Sequence, residues 1–381
     1  MAGGAVIQVV AVGQQDVYLT QSPMITFFKA VYRRYTNFAI ESVEQTFNGS
    51  PAFGNKVSAV ISRNGDLVKD IVLRVELPAL AGTAVAWVPE VGHQLIENVF
   101  LSVGGQKVIE QYGEFYSIWN ELTRSASQKD GYADLIGDRT ILTTTGGTIP
   151  AATIYVPLQF FCKDAGLALP LIALAYHEVK VEFSFRSLLD LTVGTVTGSP
   201  SMVSASLYVD YIFLDADERK SFAQSPHEYL IDQLQYHGSD PVSGSTHRSR
   251  LSFNHPTKEL IWTITPTGND LLDFTVSGAD TFATAKLQLN GNDRFSERDA
   301  MTFNLIQPLQ HHTSTPRKGI YCYSFSLEPE KHQPSGTLNF SRIDNATLHL
   351  TSPTAGDLKV YAVNYNIFRA VSGMGGIAYN S

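Results

Sequence analysis

The chain is short of charge. Only 17% of its 381 residues are Asp, Glu, Lys or Arg, against about 25% in ordinary soluble proteins. Cysteine is almost absent, with Cys162 and Cys322 alone, which excludes a disulfide scaffold and fits a reducing compartment. Long apolar runs are missing too. The longest, Leu169 to Tyr176, contains Pro170 and falls far short of the ~20 residues of a membrane span. No block of Lys or Arg forms a phosphate-neutralising arm, and the net charge is −8, so direct packaging of nucleic acid is not expected. The densest basic cluster, Lys29, Arg33 and Arg34, is interleaved with Tyr32 and Tyr35. The apolar stretch Met1 to Val12 has no basic flank and is interrupted by Gln8, so no secretory signal is expected. Ala2 stands where myristoylation needs glycine.

Catalytic constellations are equally scarce. His227-Glu228 opens like a zinc-protease helix, but no second histidine follows at the required spacing. His311 and His312 are adjacent, and neighbours on a strand point to opposite faces, so they chelate one metal poorly. Gly238-Ser239 and Gly244-Ser245 lack the flanking glycine of a nucleophile elbow. Gly104-Gly105-Gln106-Lys107 lacks the leading glycine and the Ser/Thr of a phosphate loop and reads as a hairpin turn. Asp215 and Asp217 are explained by a helix cap. The expectation is no enzyme, no metal and no cofactor. The sequons at Asn48, Asn339 and Asn345 carry no weight without a secretory signal.

What is present is aromatic content, at 11%, and a period-two alternation of apolar residues. Strands are predicted at 38–47, 56–63, 70–77, 96–103, 154–160, 179–185 and 204–214, then at 229–235, 249–253, 260–265, 284–289, 320–327, 346–351 and 358–368. Turns such as Asn64-Gly65-Asp66, Gly104-Gly105 and Asn290-Gly291-Asn292 separate them. Many short strands argue for sandwiches or barrels. Asp215 with Glu218 three residues on forms an acidic capping box that opens a short helix through Phe222, which Pro226 stops.

The halves echo each other. One common offset aligns Gly104 with Gly291, and Tyr116, Ile118, Trp119 and Leu122 with Phe303, Leu305, Ile306 and Leu309. A second echo sets 207–213 against 361–368 at a smaller offset, with the stretch from Thr123 to Ala152 expected to supply most of the difference. Duplicated β domains joined at 215–227 follow from this pattern.

Five segments in order carry a family resemblance. Ile25 to Ala39 (ITFFKAVYRRYTNFA), continuing to Gly49, resembles the N-terminal signature of major capsid proteins of nucleocytoplasmic large DNA viruses, a group that includes mimivirus-like, phycodnavirus and iridovirus members. Tyr211 to Gln235, Phe253 to Trp262, His332 to Asp344 and Gly373 to Ser381 are similar to the same family.

The resemblance implies an all-β chain of two tandem eight-stranded jelly rolls. It divides the chain into an N-terminal arm (1–24), a first jelly roll (25–214), a connector helix (215–227), a second jelly roll (228–371) and a C-terminal tail (372–381). It implies homotrimers of pseudo-hexameric outline that tile an icosahedral capsid, with minor capsid, cement and penton proteins as further partners. A membrane beneath the shell would be touched only indirectly, and nucleic acid not at all. Assembly in host cytoplasm is expected, and the loops look short, with 123–152 as the candidate outward tower. Phe27, Phe28, Tyr32, Arg33, Arg34 and Tyr35 have the aromatic-plus-arginine composition of an intersubunit contact, although the phenylalanines suit a core equally. A minor capsid paralogue or a carbohydrate-binding sandwich are the competing readings.

Overall fold

A computed structural model describes residues 3–379. Residues up to Asn37 form one compact unit and those from Phe38 onward another. The first unit carries two short helices, α1 (Gly3–Val10) and α2 (Val17–Thr20), with no buried residue in either. Asp16 accepts the Gly13 N–H at 2.8 Å. Residues 30–37 have no regular structure.

The second unit is built from strands. Its first part holds β1 (Phe38–Thr46), β2 (Lys56–Val60), β3 (Leu67–Leu77), β4 (Leu80–Trp87), β5 (Ile96–Val103), β6 (Gln106–Tyr112), β7 (Gly146–Ile149), β8 (Ala152–Pro157), β9 (Val179–Phe185), β10 (Thr192–Val196) and β11 (Ser204–Leu214). Helices α3 (Val91–Leu95), α4 (Gly113–Thr123), α5 (Ala126–Ile136) and α6 (Thr140–Thr143) interrupt them. After α7 (Ala216–Gln224) come β12 (His227–Val242), β13 (Thr246–Leu251), β14 (Pro256–Pro266), β15 (Thr284–Leu289), β16 (Asn292–Asp293) and β17 (Arg298–Asp299). A π-helical turn (Thr302–Ile306) runs into α8 (Gln307–His311), followed by β18 (Ile320–Ser324), β19 (Leu338–Asn339), β20 (Ala346–Thr351), β21 (Gly356–Val371) and β22 (Met374–Ile377).

The sheet orders decide the topology. The first part forms sheets β1-β11-β3-β8 and β2-β9-β5-β6, and the second forms β12-β21-β14-β18 and β13-β20-β15-β16. Leaving aside the accessory sheet β10-β4-β7, both parts place their eight main strands as first-eighth-third-sixth and second-seventh-fourth-fifth. That interleaving is the jelly roll, and the chain holds two in tandem.

The alternation that marked the strands becomes burial. In β3, Ile71, Leu73, Val75 and Leu77 face the core while Val72, Arg74 and Glu76 face outward, half-buried. The corresponding strand β14 is buried almost throughout. Leu260, Trp262 and Ile264 enter its own core, and Ile261 packs in a separate apolar cluster with Phe115, Ile118 and Leu122 of the first jelly roll.

Duplication is visible in backbone detail. Gly104-Gly105 and Asn290-Gly291 are both two-residue hairpin loops with positive φ at both positions (58° and 83°; 49° and 81°), the type I′ geometry that favours Gly and Asn. The helix after each hairpin turns an aromatic residue, Tyr116 or Phe303, into its own core.

Several expectations need correction. The second echo is one residue out of phase. Leu207 pairs with Leu73, and Ala362 pairs with Leu260, all four facing the cores. The equivalent of Leu207 is therefore Ala362, whereas the sequence match set it against Tyr361, which faces the other jelly roll. Most of the extra length of the first half lies in 123–152, which stands against 310–320, and the rest lies mainly in 186–203 (against 352–355). Strands β4, β7 and β10 escaped prediction because glycines interrupt their alternation and β4 shifts register around Ala84, at φ 50°.

The first strand starts at Phe38, so the stretch 25–37 assigned to the first jelly roll lies in the preceding unit. The stretch assigned as a C-terminal tail is not loose. β22 pairs with β21, His177 Nδ1 accepts the Gly375 N–H at 3.1 Å, and the Tyr176 N–H donates to the Gly373 carbonyl at 2.8 Å. A Cβ on Gly375 would stand 2.4 Å from Leu174 Cδ2; only glycine lets the strand lie this close. Residues 380–381, like 1–2, lie outside the described residues.

Candidate assembly surfaces and the buried joint

The six residues singled out from sequence lie together on the irregular stretch 27–35. All are exposed in the single chain, with Phe27 at 89% and Phe28 at 98%. The Phe28 N–H donates to Thr26 Oγ1 at 3.3 Å. Met24, Ile25 and Val31 are exposed beside them. Exposed apolar and aromatic side chains gathered in this way are a common feature of contact surfaces.

A second surface is already covered, and no motif in the chain foreshadows it. Helix α4 joins the two jelly rolls. It begins at Gly113, where a Cβ would lie 2.0 Å from the His93 carbonyl oxygen, so glycine alone permits the packing of α3 against α4. Ile118 and Leu122 are fully buried against Ile261 of β14, Ile320 and Cys322 of β18 and Tyr361 of β21. Phe115 stacks on Trp119 at 5.7 Å and lies 5.6 Å from the Tyr361 ring, offset geometries that aromatic pairs favour.

Charges are buried in the same joint, and they are paired. Glu114 accepts from Lys359 Nζ, from Arg186 Nη2 at 3.1 Å and from the Tyr361 hydroxyl at 3.4 Å. Burial, reinforced by Glu114, pushes the Tyr361 hydroxyl well above its usual range. Arg317 of the second jelly roll reaches Glu90 at 3.2 Å and Ser117 Oγ at 2.9 Å in the first. Burial opposes ionisation of Glu90, but His93 and Arg317 outweigh it and hold the carboxyl at about 2. Removing one partner from such a cluster leaves a buried charge uncompensated, at a cost of about 3–5 kcal/mol.

A third cluster has the residue types of a catalytic array. His312 stands between Glu259 (Nε2 to Oε2, 2.8 Å) and Glu330 (Nδ1 to Oε1, 3.0 Å), beside Cys322. The His312 and Glu259 side chains are fully buried. Burial lowers the imidazole pKa, but Glu259, Cys322 and Glu330 more than reverse this and carry it up to about 12. An imidazolium already donating from both nitrogens cannot take a proton from a thiol. Burial also pushes the Cys322 thiol up, the opposite of what a nucleophile needs. The cluster is a structural ion triad that ties the end of α8 to β14 and to the 325–337 loop. Among the described residues no group of three or more His, Cys, Asp or Glu could hold a metal ion. No helix among them is long and apolar enough to cross a membrane.

Two family models cover nearly the whole chain. "Major capsid protein N-terminus" matches residues 26–215, and "Large eukaryotic DNA virus major capsid protein" matches residues 218–376. The chain belongs to the major capsid protein family of large eukaryotic DNA viruses. The major capsid protein of Pyramimonas orientalis virus is 47% identical over the full length of both chains. That of Paramecium bursaria Chlorella virus 1 is 43% identical, again over all of both. A quasi-atomic model of the capsid of the latter virus superposes with a TM-score of 0.84 at 39% identity, covering 93% of this chain and 100% of that one. The Faustovirus major capsid protein superposes with a TM-score of 0.80 over 95% and 96% of the two chains. At 14% identity it speaks for the fold alone. In this chain the joint built on α4 packs the two jelly rolls against each other.

Proposed function

We propose that this chain is the shell-forming subunit of a large double-stranded DNA virus, and that it assembles as a homotrimer whose trimers tile an icosahedral capsid. The observation that carries the reading is the repeat of one strand order twice in a chain. Three such chains present six alike modules, which supports a capsomer of pseudo-hexameric outline, and a ring closed after three copies is a heterologous assembly that does not run on into fibres. The arm with Phe27, Phe28, Tyr32, Arg33, Arg34 and Tyr35 is assigned to contacts at the capsomer base, and the stretch 123–152 to the outward surface. The connector at 215–227 spaces the two modules.

The role is structural, without catalysis or cofactor. Minor capsid, cement and penton proteins complete the shell, any membrane beneath it is reached through them, and the acidic chain leaves nucleic acid alone. The virion capsid is its place, after assembly in host cytoplasm.

Light scattering coupled to gel filtration, with electron microscopy of the same fractions, tests the reading. The expected result is a trimer with a six-lobed outline. A chain that stays monomeric up to high concentration overturns it. Copy number in purified particles separates this role from that of a minor paralogue.

A further inference from the structure

The helix that follows the glycine hairpin occurs twice and meets two fates. In the first jelly roll Ile118 and Leu122 are fully buried, and Trp119 is packed on the same cluster, all beneath the second jelly roll. Their equivalents in the second jelly roll, Leu305, Ile306 and Leu309, are 40%, 46% and 76% exposed. Met301 and Leu327 are exposed as well, and His311 Nδ1 lies 3.0 Å from the Leu327 carbonyl, which brings that residue beside the helix.

This helix is anchored to the jelly roll that carries it. Phe303 is anchored in its own core. The buried Asn304 amide donates to the Arg317 and Ile320 carbonyls at 3.1 and 2.9 Å. A π-helical turn over Thr302–Ile306 sits where the exposed residues begin, a distortion frequent at functional positions.

Strand register identifies what should cover it. In the second jelly roll the α4 helix sits on the outer face of β14, β18 and β21, where Ile261 pairs with both Cys322 and Tyr361. In the first jelly roll the same register positions are Arg74, paired with Tyr155 and with Ser206, and beside them Val72 paired with Tyr208. Arg74, Val72 and Tyr208 are half-buried and Tyr155 is exposed. Tyrosine, arginine and an aliphatic residue are what intersubunit surfaces enrich. Within one chain this face carries no equivalent helix.

We infer that the helix 302–311 of one copy docks through Leu305, Ile306 and Leu309 on the Val72–Arg74–Tyr155–Tyr208 face of a neighbouring copy, repeating between chains the joint that α4 makes within one. The inference rests on the homotrimer reading and adds its contact surface. The occupant is a second copy of this chain, because the covered and the uncovered helix are versions of one element and the only jelly-roll face equivalent to the one α4 uses belongs to this same chain.

Two measurements on the full chain test it. Leu309→Asp places a charge at a side chain already exposed in the single chain. Light scattering should show a folded monomer, with the melting temperature of the dissociated wild type, at concentrations where wild type is trimeric. Separately, Leu305→Cys combined with Tyr208→Cys and treated with a short bis-maleimide should give covalent dimers and trimers on a denaturing gel. Cys162 and Cys322 are buried and give no background. A wild-type trimer with either an unaffected Leu309→Asp variant or no cross-link overturns the inference and leaves the trimer reading standing. Should Leu309→Asp fail to fold, the cross-link alone decides. A monomeric wild type overturns both.

Discussion

The buried imidazolium gives the chain a specific pH signature. His312 is held at about 12 by Glu259, Cys322 and Glu330 against the opposing effect of burial, whereas in the unfolded chain a histidine titrates near 6.5. The folded-state value is the higher one, so the stabilisation is complete below pH ~6.5 and is lost progressively as pH rises towards about 12. Between pH 7 and 9 the folded chain carries one proton that the unfolded chain has released. Linkage then sets the slope at about −1.4 kcal/mol per pH unit, or about 3 kcal/mol across that window. Glu330, held below the usual carboxylate range, stays ionised throughout it.

The perturbation is the double variant His312→Gln with Glu259→Gln, which removes the imidazolium together with its fully buried partner and leaves the half-buried Glu330 carboxylate hydrogen-bonded to Thr313. Urea unfolding of wild type and variant at fixed protein concentration, at pH 7, 8 and 9, gives the difference in unfolding free energy. Titrations shared by both proteins cancel in that difference. It should shrink by about 1.4 kcal/mol per unit. A flat difference means His312 binds no extra proton in the fold, and the ion triad as described is then wrong.

Other outcomes follow from the same geometry. Leu122→Ala, at a fully buried position of the joint, should cost about 2–5 kcal/mol in urea unfolding. Leu309→Ala, its exposed equivalent, should change the unfolding of the isolated chain by less than about 0.5 kcal/mol; equal costs would refute the two-fates argument. Glu90, held at about 2 against 4.5 or so when unfolded, contributes stability that is present above pH ~4.5 and lost as pH falls towards 2. Wild type should therefore lose about 3 kcal/mol relative to Glu90→Gln over that window. Deleting residues 1–37, none of which is buried among those described, should leave the melting temperature unchanged while abolishing assemblies larger than the capsomer, as read by sedimentation.

Much of the fold could be read from the chain because alternation and turn chemistry are local. β11 spans Ser204–Leu214 and β20 spans Ala346–Thr351 as the pattern predicts. Asp215 caps α7 by accepting the Glu218 N–H at 3.0 Å. The paired glycine hairpins are the clearest trace of duplication. What local pattern does not carry is phase across a long offset. Val209 and Val363 match by letter, but one faces its own core and the other faces the neighbouring jelly roll. Bulges in the β11–β3 and β14–β21 pairings insert single residues that flip faces without changing composition. The C-terminal glycines read as a tail for a similar reason. Glycine serves a flexible tail and a strand pressed against Leu174 alike, and only the neighbour distinguishes them.

The candidate contact residues show the deeper limit. Ile118, Trp119 and Leu122 have the same apolar spacing as Leu305, Ile306 and Leu309, and nothing within either helix says which is covered. The receiving strands do differ. β14 places Ile261 where β3 places Arg74, so an apolar outer position marks the face closed within the chain, and a polar, aromatic one marks the face left open. That contrast has an energetic reason. A face that must stay soluble until a partner arrives is better built from tyrosine and arginine, which bury apolar area yet keep a polar atom for water. A face buried as the chain folds can hold an aliphatic residue such as Ile261, its polar groups on Tyr361 and Lys359 being satisfied by Glu114. The same sheet face thus carries different side chains in two versions of one module, and that difference directs which contact forms within the chain and which waits for the next.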